Sequence, residues 1–200
     1  LNGLRAVTVS PDGRHVYAAG YRGQAVAVFG RDSTTGGLTF VEKQKEGVGG
    51  VDGLEGANSV AVSPDGKHLY AAGLLDAAVA VFSRDSISGK LSFVEVQKNG
   101  TGPLAGLWEV FSVTVSPDGR HVYAAGFGDS AVVVFSRDSR TGRLTFVETR
   151  WDGIDGVDGL DGISAIAVSP DGESVYGAGC LEDALPVFRR DAATGRLVFV

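Results

Sequence analysis

The tetrapeptide SPDG begins at Ser10, Ser63, Ser116 and Ser169, each 53 residues after the one before, and the segments between align without insertion or deletion. A strict period of this size implies stacked copies of one supersecondary unit, each needing its neighbours to bury its apolar surface. The chain therefore reads as one array with units at about 1–53, 54–106, 107–159 and 160–200. Positions shared by all copies build the scaffold. Special chemistry is expected where the copies differ.

The third copy shows the unit. Ser112–Val115 alternates as a strand does, and Ser116-Pro117-Asp118-Gly119 turns the chain: proline sets φ, aspartate bonds nearby backbone, glycine closes. His121–Ala125 is a second strand ended by Gly126, Ala131–Phe135 a third, and Leu144–Val147 a fourth, reached through a hairpin loop from Arg137 to Arg143. No segment keeps a 3.6-residue apolar period over a helical length. The predicted fold class is all-β: four consecutive four-stranded antiparallel blades of a β-propeller. Shorter, parallel rungs would mark a β-helix, which the tight hairpins oppose. Pro186 stands where Ala27, Ala80 and Val133 occupy the third strand, so a bulge or weakened pairing is expected there.

The runs VSPDGRHVYAAG (Val9–Gly20 and Val115–Gly126) and AVVVFSRDSRTGRLTFVE (Ala131–Glu148) resemble repeats of the lactonase-like β-propellers, which include propeller-type 6-phosphogluconolactonases. The resemblance covers nearly the whole chain and implies about seven blades, of which 200 residues supply about four. Both ends read as cut, so a longer ring is expected. Self-association, such as two chains making eight blades, is the alternative if they are not. The resemblance also implies a lactone hydrolase, to which Arg5, Arg22, Glu55, Asp129 and Glu182 could contribute.

The two rims differ. The SPDG and RDxxTG-type turns share one rim and scarcely vary. The other carries the loops 21–24, 74–77, 127–130 and 180–183 and the long interblade loops, all divergent. Exposed loops drift neutrally, but loops on a rigid scaffold also bind. The main expectation is a scaffold binding a sugar-like small molecule or a protein partner through this rim, with Tyr21, Arg22, Asp76, Trp108, Phe127, Asp129 and Glu182 as candidate contacts; lactone hydrolysis is the alternative. Trp108 and Phe111 suggest a stacking platform. The inner strands AVTV, SVAV, SVTV and AIAV offer almost no acid, base or nucleophile.

Asp152, Asp155, Asp158 and Asp161, spaced by three in WDGIDGVDGLDG, form a candidate Ca²⁺ site at 151–162, though the same run also serves as a plain Gly-rich connection. His15, His68 and His121 share one repeat position on three different blades, too dispersed for one ion, and read as structural. Asp32, Asp85, Asp138 and Asp191 read as Asx-turn residues whose adjacent arginines would pair only at the surface. Cys180, the single cysteine, forms no intrachain disulfide and has no activating partner in its motif. The net charge of −6 with no basic cluster opposes nucleic acid, and no apolar run approaches the ~18–20 residues of a membrane helix. Compartment is open, with an extracytoplasmic setting favoured.

Overall fold

A computed structural model describes residues 2–200. Each repeat folds as one four-stranded antiparallel sheet with strands in sequence order. The first blade contains β1 (Leu4–Val9), β2 (His15–Gly20), β3 (Ala25–Arg31) and β4 (Leu38–Lys45); the second, β5 (Ala57–Val62), β6 (His68–Gly73), β7 (Ala78–Arg84) and β8 (Leu91–Lys98). The third contains β9 (Val110–Val115), β10 (His121–Gly126), β11 (Ala131–Arg137) and β12 (Leu144–Trp151); the fourth, β13 (Ile163–Val168), β14 (Ser174–Gly179), β15 (Val187–Arg190) and β16 (Leu197–Phe199). The innermost strands β1, β5, β9 and β13 neighbour one another in that order. Among the described residues no helix is long and apolar enough to cross a membrane.

The outer strands run longer than their apolar alternation suggests. A bulge between Val134 and Phe135 lets β11 keep pairing with the polar stretch Glu148–Trp151, which carries no core-facing pattern. The fourth blade departs most. Pro186 lacks the N–H its equivalents donate, and β14 pairs with β15 only over Ser174–Tyr176, whereas β10 pairs with β11 along its whole length. Gly177 replaces the alanine of the other copies here; a Cβ would sit 3.0 Å from the Pro186 ring and 2.9 Å from Ile163.

Apolar faces meet between blades. Tyr17, Ala19, Val26 and Val28 of the first blade pack against Val60, Leu69, Phe82 and Leu91 of the second, and the pattern repeats at the next two joints. A polar cluster closes each joint at the SPDG rim. Arg84 donates from Nε to the Tyr17 hydroxyl (2.6 Å), from Nη1 to the Gly66 carbonyl (2.8 Å), and from Nη2 to Asp12 (2.8 Å) and His15 Nδ1 (2.8 Å). Tyr17 in turn donates to the Gly89 carbonyl (3.0 Å). Arg137 and Arg190 repeat these bonds onto the second and third blades. These arginines are thus not surface partners of the adjacent aspartates: their side chains are 1 % exposed and reach back one blade. Asp32 and its equivalents bond their own turn backbone, as at Thr34 and Thr35. Gly89 supplies a positive φ (74°) and also lies against the His15 ring, where a Cβ would overlap it.

The cluster polarises its members. Burial lowers the affinity of His15, His68 and His121 for a proton, and the neighbouring arginine lowers it further. Burial raises the Asp65 and Asp118 carboxyls, but the serine hydroxyl and arginine of each site outweigh it and bring both to about 2. Burial pushes Tyr70 and Tyr123 up to about 12.

Candidate functional site

The variable rim is built on a repeated frame. The turn from the second to the third strand ends in a residue with positive φ in every blade: Gln24 (49°), Ala77 (48°), Ser130 (49°) and Asp183 (52°). The preceding acids face the interblade loop. Asp76, Asp129 and Glu182 accept bonds from the backbone N–H of Glu55 (2.8 Å), Trp108 (2.8 Å) and Asp161 (3.2 Å). These three candidate contacts therefore hold the chain where it enters each inner strand. Arg22 is exposed and packs beside Gly3.

Inward of this frame, each inner strand carries a bulge at its second residue. The register skips Arg5, Asn58, Phe111 and Ser164, one per blade. A bulge re-aims its side chain, and bulges concentrate at rims and beside active sites. Each bulge residue shares the rim with the first residue of its own blade's turn, and the pairs do not repeat. The Arg5 guanidinium lies 5.2 Å from the Tyr21 ring centre, and the Phe111 and Phe127 rings are 5.3 Å apart at 37°. Asn58 and Leu74 hold these positions in the second blade, Ser164 and Cys180 in the fourth. Asn58 Nδ2 donates to the Phe111 carbonyl (2.8 Å), coupling adjacent bulges. Trp108 stands on the same rim, 57 % exposed, its indole so close to Gly128 that a Cβ there would overlap it.

Glu109 adds a strained acid. Its φ is +52°, at a position where the other copies have Gly3 (66°), Gly56 (67°) and Gly162 (63°). Left-handed backbone in a non-glycine residue costs roughly 1–2 kcal/mol and clusters where function requires it. Asn58, Glu109 and Ser164 were absent from the contacts expected from sequence. For Glu109 a signal existed: an acid at a repeat position otherwise held by glycine.

The acidic run at 151–162 folds as an interblade loop. Asp152 and Asp158 come within 4.8 Å of Glu182 through their carboxylate oxygens, while Asp155 and Asp161 are not in that group. Asp152 also accepts from the Leu160 N–H (2.9 Å), and Asp161 accepts from the Ser130 hydroxyl (3.0 Å). At an earlier joint the corresponding carboxylates Glu46, Asp52 and Asp76 cluster likewise, with Lys98 Nζ 2.7 Å from Asp52 and 3.6 Å from Asp76. Cys180 is exposed, its Sγ 3.2 Å from the Gly162 carbonyl.

Four-stranded blades succeeding one another around their inner strands, with the binding candidates on one rim, make this chain a β-propeller. Residues 45–153 match the family described as lactonase, 7-bladed beta-propeller, and the chain belongs to that family. It is 33% identical over 101 residues to an Arthroderma benhamiae protein named "Probable 6-phosphogluconolactonase", covering 47% of this chain and 24% of that one. A Staphylococcus epidermidis protein without assigned function is 27% identical over 147 residues, covering 72% and 40%. The chain thus spans less than half the length of these curated relatives. Among solved structures, a periplasmic gluconolactonase of Pseudomonas aeruginosa superposes with a TM-score of 0.77 at 25% identity, covering 98% of this chain and 53% of that one. A 6-phosphogluconolactonase candidate from Bacteroides fragilis gives 0.80 at 22%, with the same coverage.

Proposed function

We propose that the variable rim binds a sugar lactone at the mouth of the central channel and that these blades form one wall of a lactone hydrolase. The observation carrying this reading is the non-repeating set Arg5, Asn58 and Phe111 at the bulges of three successive blades, with Glu109 and Phe127 beside the third. A catalytic centre needs different groups converging from different elements, and here the strict repeat is broken in that way. Family membership supports a lactone as the ligand. The ligand-binding rim expected from sequence is kept, and its ligand is read as the lactone.

Each group has a chemical part. Phe111, Phe127 and Trp108 offer faces against the C–H side of a sugar ring. Arg5, aligned by Tyr21, donates to an anionic substituent or to the oxygen that gains charge as water attacks the carbonyl. In this reading Glu109 accepts the attacking water's proton. The acyl C–O bond then breaks, the ring oxygen leaves as a hydroxyl, and a hydroxy acid results. Hydrolysis of 6-phosphogluconolactone by the 200-residue chain tests the reading. A rate above the spontaneous one that falls in Arg5→Ala, Glu109→Gln and Phe111→Ala supports it. A background rate with no lactone binding contradicts it.

A second reading, a protein-binding rim, is favoured by Leu75, Trp108 and Leu181, all more than half exposed on the same side.

A further inference from the structure

One contact on the variable rim is built alike in the first, second and fourth blades and reversed in the third. Its backbone frame is common to all. The N–H of Tyr21, Leu74, Phe127 and Cys180, first in each turn, donates to the carbonyl of Gly3, Gly56, Glu109 and Gly162, where the chain enters the inner strand (2.8, 3.1, 3.1 and 3.3 Å). Across this frame the second turn residue meets the entry residue. In three blades the side chain belongs to the turn and the entry is glycine. A Cβ on Gly3 would meet Arg22 at 3.2 Å, one on Gly56 would meet Leu75 at 2.9 Å, and one on Gly162 would meet Leu181 at 2.5 Å. In the third blade the turn holds the glycine. A Cβ on Gly128 would overlap the Trp108 indole and lie 3.0 Å from Glu109 Oε2. The space that a turn side chain fills elsewhere is here taken by Trp108 and the Glu109 carboxylate.

Packing alone does not call for this reversal. Glycine at the entry adopts left-handed backbone freely, whereas Glu109 holds it at +52° with a side chain attached. The unstrained arrangement stands in the other three blades on the same frame, so the strained one points to a use beyond filling the contact. Gly128 itself is not at positive φ. What it supplies is space rather than backbone freedom.

We propose that Gly128 is a positioning residue of the lactone site: by carrying no side chain it seats the Trp108 indole and holds the Glu109 carboxylate against the turn. The inference rests on the lactone reading, in which Glu109 takes the water's proton. Gly128 acts through its two neighbours, and a methyl group there displaces both.

A double-mutant cycle in the 200-residue chain tests this, with 6-phosphogluconolactone hydrolysis as the readout. Gly128→Ala should lower kcat at least about tenfold, since small misplacements of a reacting group are costly. On the residual rate of Glu109→Gln the same change should act less than about twofold, because the group it positions is gone. Equal losses in both backgrounds mark Gly128 as structural only and overturn the proposal. An active wild type with kcat unchanged in Gly128→Ala also overturns it, and leaves the lactone reading standing. If the chain binds gluconolactam without turnover, Gly128→Ala should weaken that binding at least about tenfold, and an unchanged dissociation constant overturns the proposal. A wild type with neither turnover nor lactam binding overturns the lactone reading and this proposal with it. The swap is also tested without ligand. Trp108→Glu, Glu109→Gly and Gly128→Leu together copy Glu55, Gly56 and Leu75 of the second blade. That triple variant should unfold at no lower urea concentration than the wild type; a clearly lower midpoint contradicts the exchange of sides on which the proposal stands.

Discussion

Arg137 donates from Nε to the hydroxyl of Tyr70 in the preceding blade at 2.8 Å, and the same guanidinium reaches Asp65 and His68. One side chain thus ties three groups across a joint, with no buried side-chain polar atom left unpartnered among the described residues. Arg137→Ala would leave His68 Nδ1 without its donor and Asp65 without its cation, while Tyr70 keeps the Gly142 carbonyl, and a loss of about 3 kcal/mol in urea unfolding is expected. Tyr70→Phe removes only the hydroxyl and should cost about 1–3 kcal/mol. Arg137→Lys should not restore stability, since one ammonium cannot reproduce the planar fork. A loss below about 1 kcal/mol for Arg137→Ala would show that the cluster contributes little to joining the blades.

The cluster also sets the pH range of stability. His15, His68 and His121 bind protons less readily folded than unfolded, so their contribution is present above about pH 6.5 and is lost as pH falls. Asp65 and Asp118, held at about 2, add a second loss below the ordinary carboxylate range. Tyr70 and Tyr123, raised to about 12, contribute stability that is complete below about pH 10 and lost as pH rises toward 12. Urea midpoints from pH 4 to pH 11 should therefore fall on both sides of a neutral plateau. Replacing all three histidines with glutamine, which can still accept from the arginine, should flatten the limb that begins below about pH 6.5. An unchanged limb would place the acid sensitivity elsewhere.

Glu109→Gly should separate stability from function. Removing the strained φ should raise stability by about 1 kcal/mol, as read from the thermal midpoint, while lactone turnover falls. Unchanged turnover in a stabilised variant would remove Glu109 from the site.

In the fourth blade, amides of β14 and β15 should exchange with deuterium faster than those of β10 and β11, because Pro186 interrupts the ladder. Equal protection would show that Gly177 fully offsets the interruption.

The repeat made the blade legible before any coordinates. Identical turns at one period dictate identical strands, and loop divergence falls on one rim. The partners of Arg137 were not legible. Asp138 adjoins it in sequence, whereas Asp65 is 72 residues away and becomes a neighbour only when blades stack. The bulges were hidden for a different reason. An extra residue such as Phe111 leaves ordinary alternation on its inner side, so Ser112–Val115 reads as a complete strand without it. Phe111 and Arg5 drew notice by residue type, Asn58 and Ser164 did not, and only the register joins the four into one set.

The central claim is that these bulge residues and their turn partners form a ligand mouth. Backbone amide shifts during titration with a non-hydrolysable lactam analogue of a sugar lactone test it most directly. The account predicts saturable shifts at Arg5, Tyr21, Asn58, Glu109, Phe111 and Phe127, with the SPDG turns at Ser10, Ser63, Ser116 and Ser169 unmoved. No saturable shift, or shifts centred on the SPDG rim, would contradict it.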